Sequence, residues 1–270
     1  MLFVLALSAY VTGFFGYLGY LIFHQEIYHK VGHYFFVLGL GIQTFVLLSS
    51  FMVSGVMPVE NLRETLCFTA WAIALIYVGF NLRFRLMVLG AFVAPLVCGI
   101  MIASSLFSGS SAVSPDLLKG VWTFVHITAI FLGDGAFILA ACVGIIYLMQ
   151  ERAIKKKQHG FIYHRLPSLE VLDKMGYACV AFGFPMLTFG MIAGFIYAQS
   201  VWGKWWSWDP KELWSVVTWL FYAALLHERL TVGWRGKRAA VMAIIGLAVV
   251  LITFGVNFFL LGHHTQFTKF

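Results

Sequence analysis

Apolar residues run almost without interruption along this chain, broken at intervals by short polar clusters. The unbroken stretches reach about 20 residues apiece, the length an α-helix needs to cross a hydrocarbon core of roughly 30 Å. The pattern predicts eight spans, at about 1–23, 34–55, 65–82, 86–107, 123–149, 176–200, 212–230 and 239–261. The expected fold class is all-α, a polytopic membrane helix bundle with about eight transmembrane helices. The opening stretch Met1–Phe23 has no cleavage-site pattern and reads as a span that stays.

An even number of spans puts both termini on one side, and the basic residues choose the side. Of the 18 Lys and Arg residues, 13 follow odd-numbered spans. They are Lys30, Arg83, Arg85, Arg152, Lys155, Lys156, Lys157, Arg165, Lys174, Arg229, Arg235, Lys237 and Arg238. By the positive-inside rule these loops face the cytoplasm or stroma, and both termini face the outer, periplasmic or lumenal side. The longest inner connection, 151–175, contains Pro167–Met175, which reads as a short interfacial helix with Leu169, Leu172 and Met175 as its apolar stripe.

Composition agrees with a lipid-embedded chain: 61% of residues are apolar, 11% are charged and the mean hydropathy is +0.89. A soluble domain of this length could not hide that much apolar surface. The net charge of +7 would by itself suggest nucleic acid, but its basic residues lie between spans, so topology accounts for it. Cys67, Cys98, Cys142 and Cys179 form no CxxC and sit in apolar runs, which reads as thiols without a disulfide or zinc role.

One outer segment departs from the apolar background. Six of the nine tryptophans lie between positions 202 and 219, and Trp202, Trp205, Trp206 and Trp208 fall within seven residues of one outer loop. An anchoring belt would spread over many helix ends on both faces. Gly203 and Pro210 permit tight turns, and Asp209, Lys211 and Glu212 add charge beside the rings. The segment suits a large flat apolar ligand with polar edges, with a plain belt as the alternative.

The histidines sharpen this reading. His24, His29, His33, His159 and His164 fall in inner loops or at their edges, where solvated or headgroup-facing roles are expected. By parity, His126, at the outer start of the fifth span, shares the tryptophan side with His263 and His264, just past the eighth. Two imidazoles flanking an aromatic platform make an axial pair for haem iron. His227 lies within the seventh span, about 22 Å inward of Glu212, with Leu220, Ala223 and Ala224 on its face. Those alanines leave room for a haem or for a neighbouring helix. Asp134, two turns below His126, is the other ionisable residue inside the membrane; it could bond an imidazole, orient a helix or sit protonated.

The run WGKWWSWDPKELW, 202–214, resembles the WWD signature of haem-handling proteins. TWLFYAALLHERL (218–230), LPSLEVLDKMGY (166–177), GWRGKRAA (233–240) and GVNFFLLGHHTQF (255–267) are similar to the cytochrome c biogenesis family CcsA, also called ResC. WDPKE rather than WDxR favours this family over its relative CcmC. The similarity is dense from about residue 123, dividing a four-helix amino-terminal part, 1–122, from a haem-handling core, 123–270.

The resemblance implies a cytochrome c synthase of the system II type. Its substrate is haem b, moved across the membrane and presented at the outer face for thioether attachment to the CxxCH of an apocytochrome c. His126 matches the first external ligand and His227, in LLHER, the membrane ligand. The second external ligand falls in a G-L-H-S-Y pattern, read here as Gly262-His263-His264-Thr265-Gln266, so His264 takes that position and His263 is its alternative. Trp202, Trp205, Trp206, Trp208 and Asp209 would line the external site, and Lys204 or Lys211 could meet the propionates. A separate CcsB (ResB) subunit is expected to supply the second membrane histidine, and lyase activity only in complex with it. The expected membrane is the bacterial inner membrane, with the thylakoid as the alternative. The rival functions are a haem exporter without lyase activity and a b-haem electron-transfer subunit; only His227 lies deep, where the latter would need opposed histidine pairs.

Overall fold

Each predicted span folds as a helix, the form in which a chain in lipid satisfies its own backbone. The computed structural model describes residues 1–84, 86–107, 119–157 and 165–259. Among them are eight α-helices: α1 (Leu2–Phe23), α2 (Glu26–Ser54), α3 (Leu62–Phe84), α4 (Gly90–Ser105), α5 (Val121–Lys155), α6 (Leu169–Trp202), α7 (Pro210–His227) and α8 (Lys237–Phe259). A π-helical turn, Glu228–Val232, follows α7 directly. Six of the eight are long and apolar enough to cross a membrane. Helix α4 has only 16 residues. Helix α7 has 18, with Lys211 and Glu212 in its first turn. The chain is a multi-pass integral membrane protein.

The axis of the bundle is α5. A helix apolar on every face must be covered on every face, and residues 135–141 of α5 are buried without exception. It packs most extensively on α6, then on α8 and α3. Small residues set these approaches, because lipid supplies no hydrophobic force between helices and close backbone packing must serve instead. A Cβ on Gly133 would come within 3.1 Å of the Gly183 carbonyl oxygen, and one on Gly144 within 2.8 Å of that of Ala240. Helices α1, α2 and α4 form the flanking part, joined to α5 chiefly through α3. Its core is the cluster Tyr10, Tyr17, Phe36 and Tyr77, packed edge to face. The buried Gln43 is fully engaged there, accepting from the Tyr10 hydroxyl (2.7 Å) and donating to the Cys67 carbonyl (2.9 Å).

Two local expectations need correcting. Helix α2 begins at Glu26, well before the expected residue 34, so His29 and His33 are helical rather than in a solvated loop. Both are half-buried against α1, where His29 packs on Tyr17 and Tyr20 and His33 lies 3.3 Å from the Tyr17 hydroxyl. The cause is the crossing of Gly16 and Gly32, so close that a Cβ on Gly16 would sit 2.5 Å from the Gly32 backbone. The separate interfacial helix expected at Pro167–Met175 does not form. Ser168 caps α6, its side chain accepting from the Val171 N–H, and the helix runs unbroken from Leu169 to Trp202. All four cysteines are free thiols, Cys98 and Cys179 buried and Cys67 and Cys142 partly so.

Candidate functional site

At its carboxyl-terminal end α6 stops because Gly203 takes the left-handed conformation (φ 67°) and returns its N–H to the Gln199 carbonyl. The tryptophan loop follows, and α7 opens with a cap written into DPKE. Asp209 is the N-cap, its Oδ1 accepting from the Lys211 N–H at 2.9 Å, and Pro210 occupies the first helical position. Glu212 sits where a capping box places its acid. Here it reaches further back, accepting from the Ser207 N–H at 2.9 Å and the Ser207 hydroxyl at 2.8 Å. The loop is thereby stapled to the helix it precedes. Trp208, between the staple and the cap, is held at φ 60°, a left-handed conformation unusual for a bulky side chain.

This backbone divides the tryptophans into two kinds. Trp205 and Trp208 are 58% and 74% exposed. Trp202 and Trp206 are half-buried, Trp202 against Tyr197 and Trp206 between Phe195 and Trp208. Trp219 is an anchor within the bundle, its indole N–H donating to the Thr188 hydroxyl at 3.0 Å. Asp209 is buried, and its Oδ2 has no hydrogen-bond partner. Lys204 is exposed.

His126, half-buried on α5, lies against α6. Its Nδ1 is 2.7 Å from the Gly190 carbonyl oxygen. A carbonyl can only accept, so Nδ1 carries the proton and Nε2 keeps its lone pair, the tautomer that a metal ligand requires. Gly194, one turn further along α6, makes room for the ring: a Cβ there would be 2.7 Å from Nδ1. The Lys211 ammonium lies close enough to act on His126 electrostatically. The fold therefore puts the histidine of α5 within electrostatic range of the first turn of α7. His263 and His264 lie outside the described residues.

His227 is at the other end of α7, about 24 Å from Lys211 at 1.5 Å per residue. It is exposed, and it ends a seam of α7 residues that are exposed among the described residues: Leu213, Val217, Leu220, Ala224 and His227. Their alternating spacing of four and three is the one helices use to pack on one another. Asp134 acts electrostatically on Tyr222, whose ring stacks on Phe137 at a centroid distance of 3.4 Å. His126 gives its Nδ1 to Gly190 instead. The sequence reading missed Gly190, Gly194 and the Ser207–Glu212 staple; the small-residue spacing of GMIAG was the one available signal for the glycines.

Known proteins resemble this chain in sequence and in fold. The family described as Cytochrome C assembly protein matches residues 59–264, extending well upstream of position 123. The chain is 35% identical to the cytochrome c biogenesis protein CcsA of Guillardia theta over 82% of its own length and 80% of that protein's. Against the CcsA of one strain of Prochlorococcus marinus it is 35% identical over 78% and 76%. The solved structure of the cytochrome c haem lyase CcmF superposes on 99% of this chain with a TM-score of 0.64, at 17% identity and over 46% of the CcmF chain. That likeness is one of fold. A role in cytochrome c maturation follows from the family, and this chain belongs to the cytochrome c assembly proteins, among the CcsA proteins of cytochrome c biogenesis.

Proposed function

We propose that this chain is the haem-handling subunit of a system II cytochrome c synthase, presenting haem b at the outer membrane face for thioether attachment to the CxxCH of an apocytochrome c. The observation that carries the reading is His126, whose Nδ1 is committed to the Gly190 carbonyl so that Nε2 is left to ligate iron. His264, with His263 as its alternative, is assigned the opposite axial position. Exposed Trp205 and Trp208 offer rings to the porphyrin face, and Trp202, Trp206 and the Asp209 cap hold the loop that bears them. The chemistry at the iron and vinyl groups belongs to the substrate; the chain supplies position and ligation.

His227 is assigned the inner haem ligand. The open α7 seam above it supports a second subunit docking there, a CcsB-type membrane protein that brings the opposing histidine, and lyase activity belongs to that complex. The basic-residue asymmetry favours outward termini, and the bacterial inner membrane is the assigned location, the thylakoid its alternative. Residues 123–270 form the haem-handling core in this reading.

Co-expression of the chain with a CcsB-type subunit and a CxxCH apocytochrome tests the reading. Thioether-linked cytochrome that depends on this chain is the expected product. Release of free haem with no covalent cytochrome would leave an exporter instead.

A further inference from the structure

The inner end of α7 is held differently from the rest of it. Along its length α7 is fixed by the Phe137–Tyr222 stack, the Trp219–Thr188 hydrogen bond and the Thr218–Thr253 hydroxyl pair at 2.8 Å. From His227 onward these contacts stop. The chain winds as the π-turn Glu228–Val232, and Gly233 (φ 76°) and Trp234 both return their N–H groups to the Glu228 carbonyl. Such turns depart from α-helical register and recur at functional sites.

A single carboxylate fastens this turn. Asp173, in the second turn of α6, accepts from Arg229 in bidentate fashion, Nη1 to Oδ1 at 2.8 Å and Nη2 to Oδ2 at 2.6 Å. Its Oδ1 also accepts from the Gly236 N–H at 2.7 Å, and Arg229 Nη1 donates to the Trp234 carbonyl at 3.0 Å. The guanidinium lies over the Tyr177 ring, and the two paired side chains are 12% and 14% exposed. Thus α6, the π-turn and the start of α8 meet at one acid, beside a cleft lined by small residues including Gly144, Gly176 and Ala240.

We infer that Asp173 is a positioning residue for His227, acting through Arg229. The inference rests on the reading of His227 as the inner haem ligand and adds to it the device that aims the imidazole. Arg229 follows His227 by two residues, which puts it on roughly the opposite side of the helix, about 200° round at α-helical winding and somewhat less across the π-turn. Pulling Arg229 inward onto α6 therefore turns His227 outward onto the open seam. A fork-to-fork pair fixes rotation as well as distance, which a point charge cannot do. A largely buried ion pair contributes little net stability but is strict about geometry.

The test uses the full chain purified from its membrane with its bound haem and partner subunits. Asp173→Asn and Arg229→Lys are compared with His227→Ala and His126→Ala, reading the bis-imidazole signature of each haem by electron paramagnetic resonance and ferrous absorption. Asp173→Asn and Arg229→Lys should lower inner-site occupancy by roughly tenfold or more. They should leave the haem lost in His126→Ala in place, and Asp173→Glu should restore much of the inner signal. If Asp173→Asn does not accumulate, Arg229→Lys, which keeps the charge pair, decides. An unchanged inner signal in Arg229→Lys, or equal loss of both haems in that variant, overturns the inference. If His227→Ala retains the inner haem, the ligand assignment fails and the inference fails with it; if His227→Ala loses the haem while the clasp variants keep it, only the inference fails.

Discussion

His126 on α5 and Gly190 on α6 are joined by a 2.7 Å contact in which the imidazole donates and the backbone carbonyl accepts. The bond reaches across 64 residues of sequence and fixes both the tautomer and the plane of the ring. It lies along the most extensive helix–helix contact of the bundle, so the ring orientation inherits the rigidity of the core rather than that of a loop. As the proposed ligand, a ring held this way would meet iron with little reorganisation.

Gly194→Ala tests that placement. The new methyl would stand 2.7 Å from Nδ1 and 2.8 Å from Cε1 of His126, so the ring must move. Outer-site haem is expected to fall by roughly tenfold, as for other disturbances of a ligand's support. Gly79→Ala, a helical position with nothing within 4 Å, is the control and should change neither haem nor stability unfavourably. Haem content of the two purified variants decides.

The Ser207–Glu212 staple should govern the order of the tryptophan loop. Glu212→Ala removes the acceptor for two donors, at a cost on the order of 1 kcal/mol each. Faster hydrogen exchange confined to residues 203–209 is the expected result, with the helices of the bundle unaffected.

Asp209 has a structural task and a proposed functional one, and two substitutions separate them. Asparagine caps a helix as well as aspartate does, whereas alanine costs about 1 kcal/mol. Asp209→Asn should keep the thermal stability of the chain and Asp209→Ala should lower it. A loss of cytochrome c maturation in Asp209→Asn at unchanged stability would assign the work to the charge of Oδ2, the oxygen without a protein partner.

Trp208 is strained and exposed together, the signature of a residue kept for what it touches. Trp208→Gly removes the left-handed penalty, on the order of 1 kcal/mol, and with it the ring. The chain should become no less stable while maturation falls, measured as melting temperature beside thioether-linked cytochrome produced.

Much of this arrangement was legible in the sequence because membrane helices announce themselves by length and polarity. The eight helices and the tryptophan loop follow from local patterns. Local patterns failed where distant backbone decided. His29 and His33 look like loop residues until Gly16 and Gly32 let α1 and α2 meet. Nothing near Met175 stops α6, because Gly176 is tolerated within a helix that neighbouring helices support. The Asp173–Arg229 clasp joins residues 56 apart, and no spacing rule pairs them. Two of the four clustered tryptophans are half-buried and two exposed, a division that turns on the positive φ of Trp208 and the Gly203 stop.

The central claim is that two imidazoles, from α5 and from the segment after α8, grip one iron at the tryptophan loop. Electron paramagnetic resonance of the purified chain, with its partner, in wild-type, His126→Ala and His264→Ala forms tests it most directly. A low-spin bis-histidine signal that is lost or altered in each variant, with maturation partly restored by added imidazole, is the predicted result. Unchanged signals and full cytochrome c maturation in both variants would contradict it.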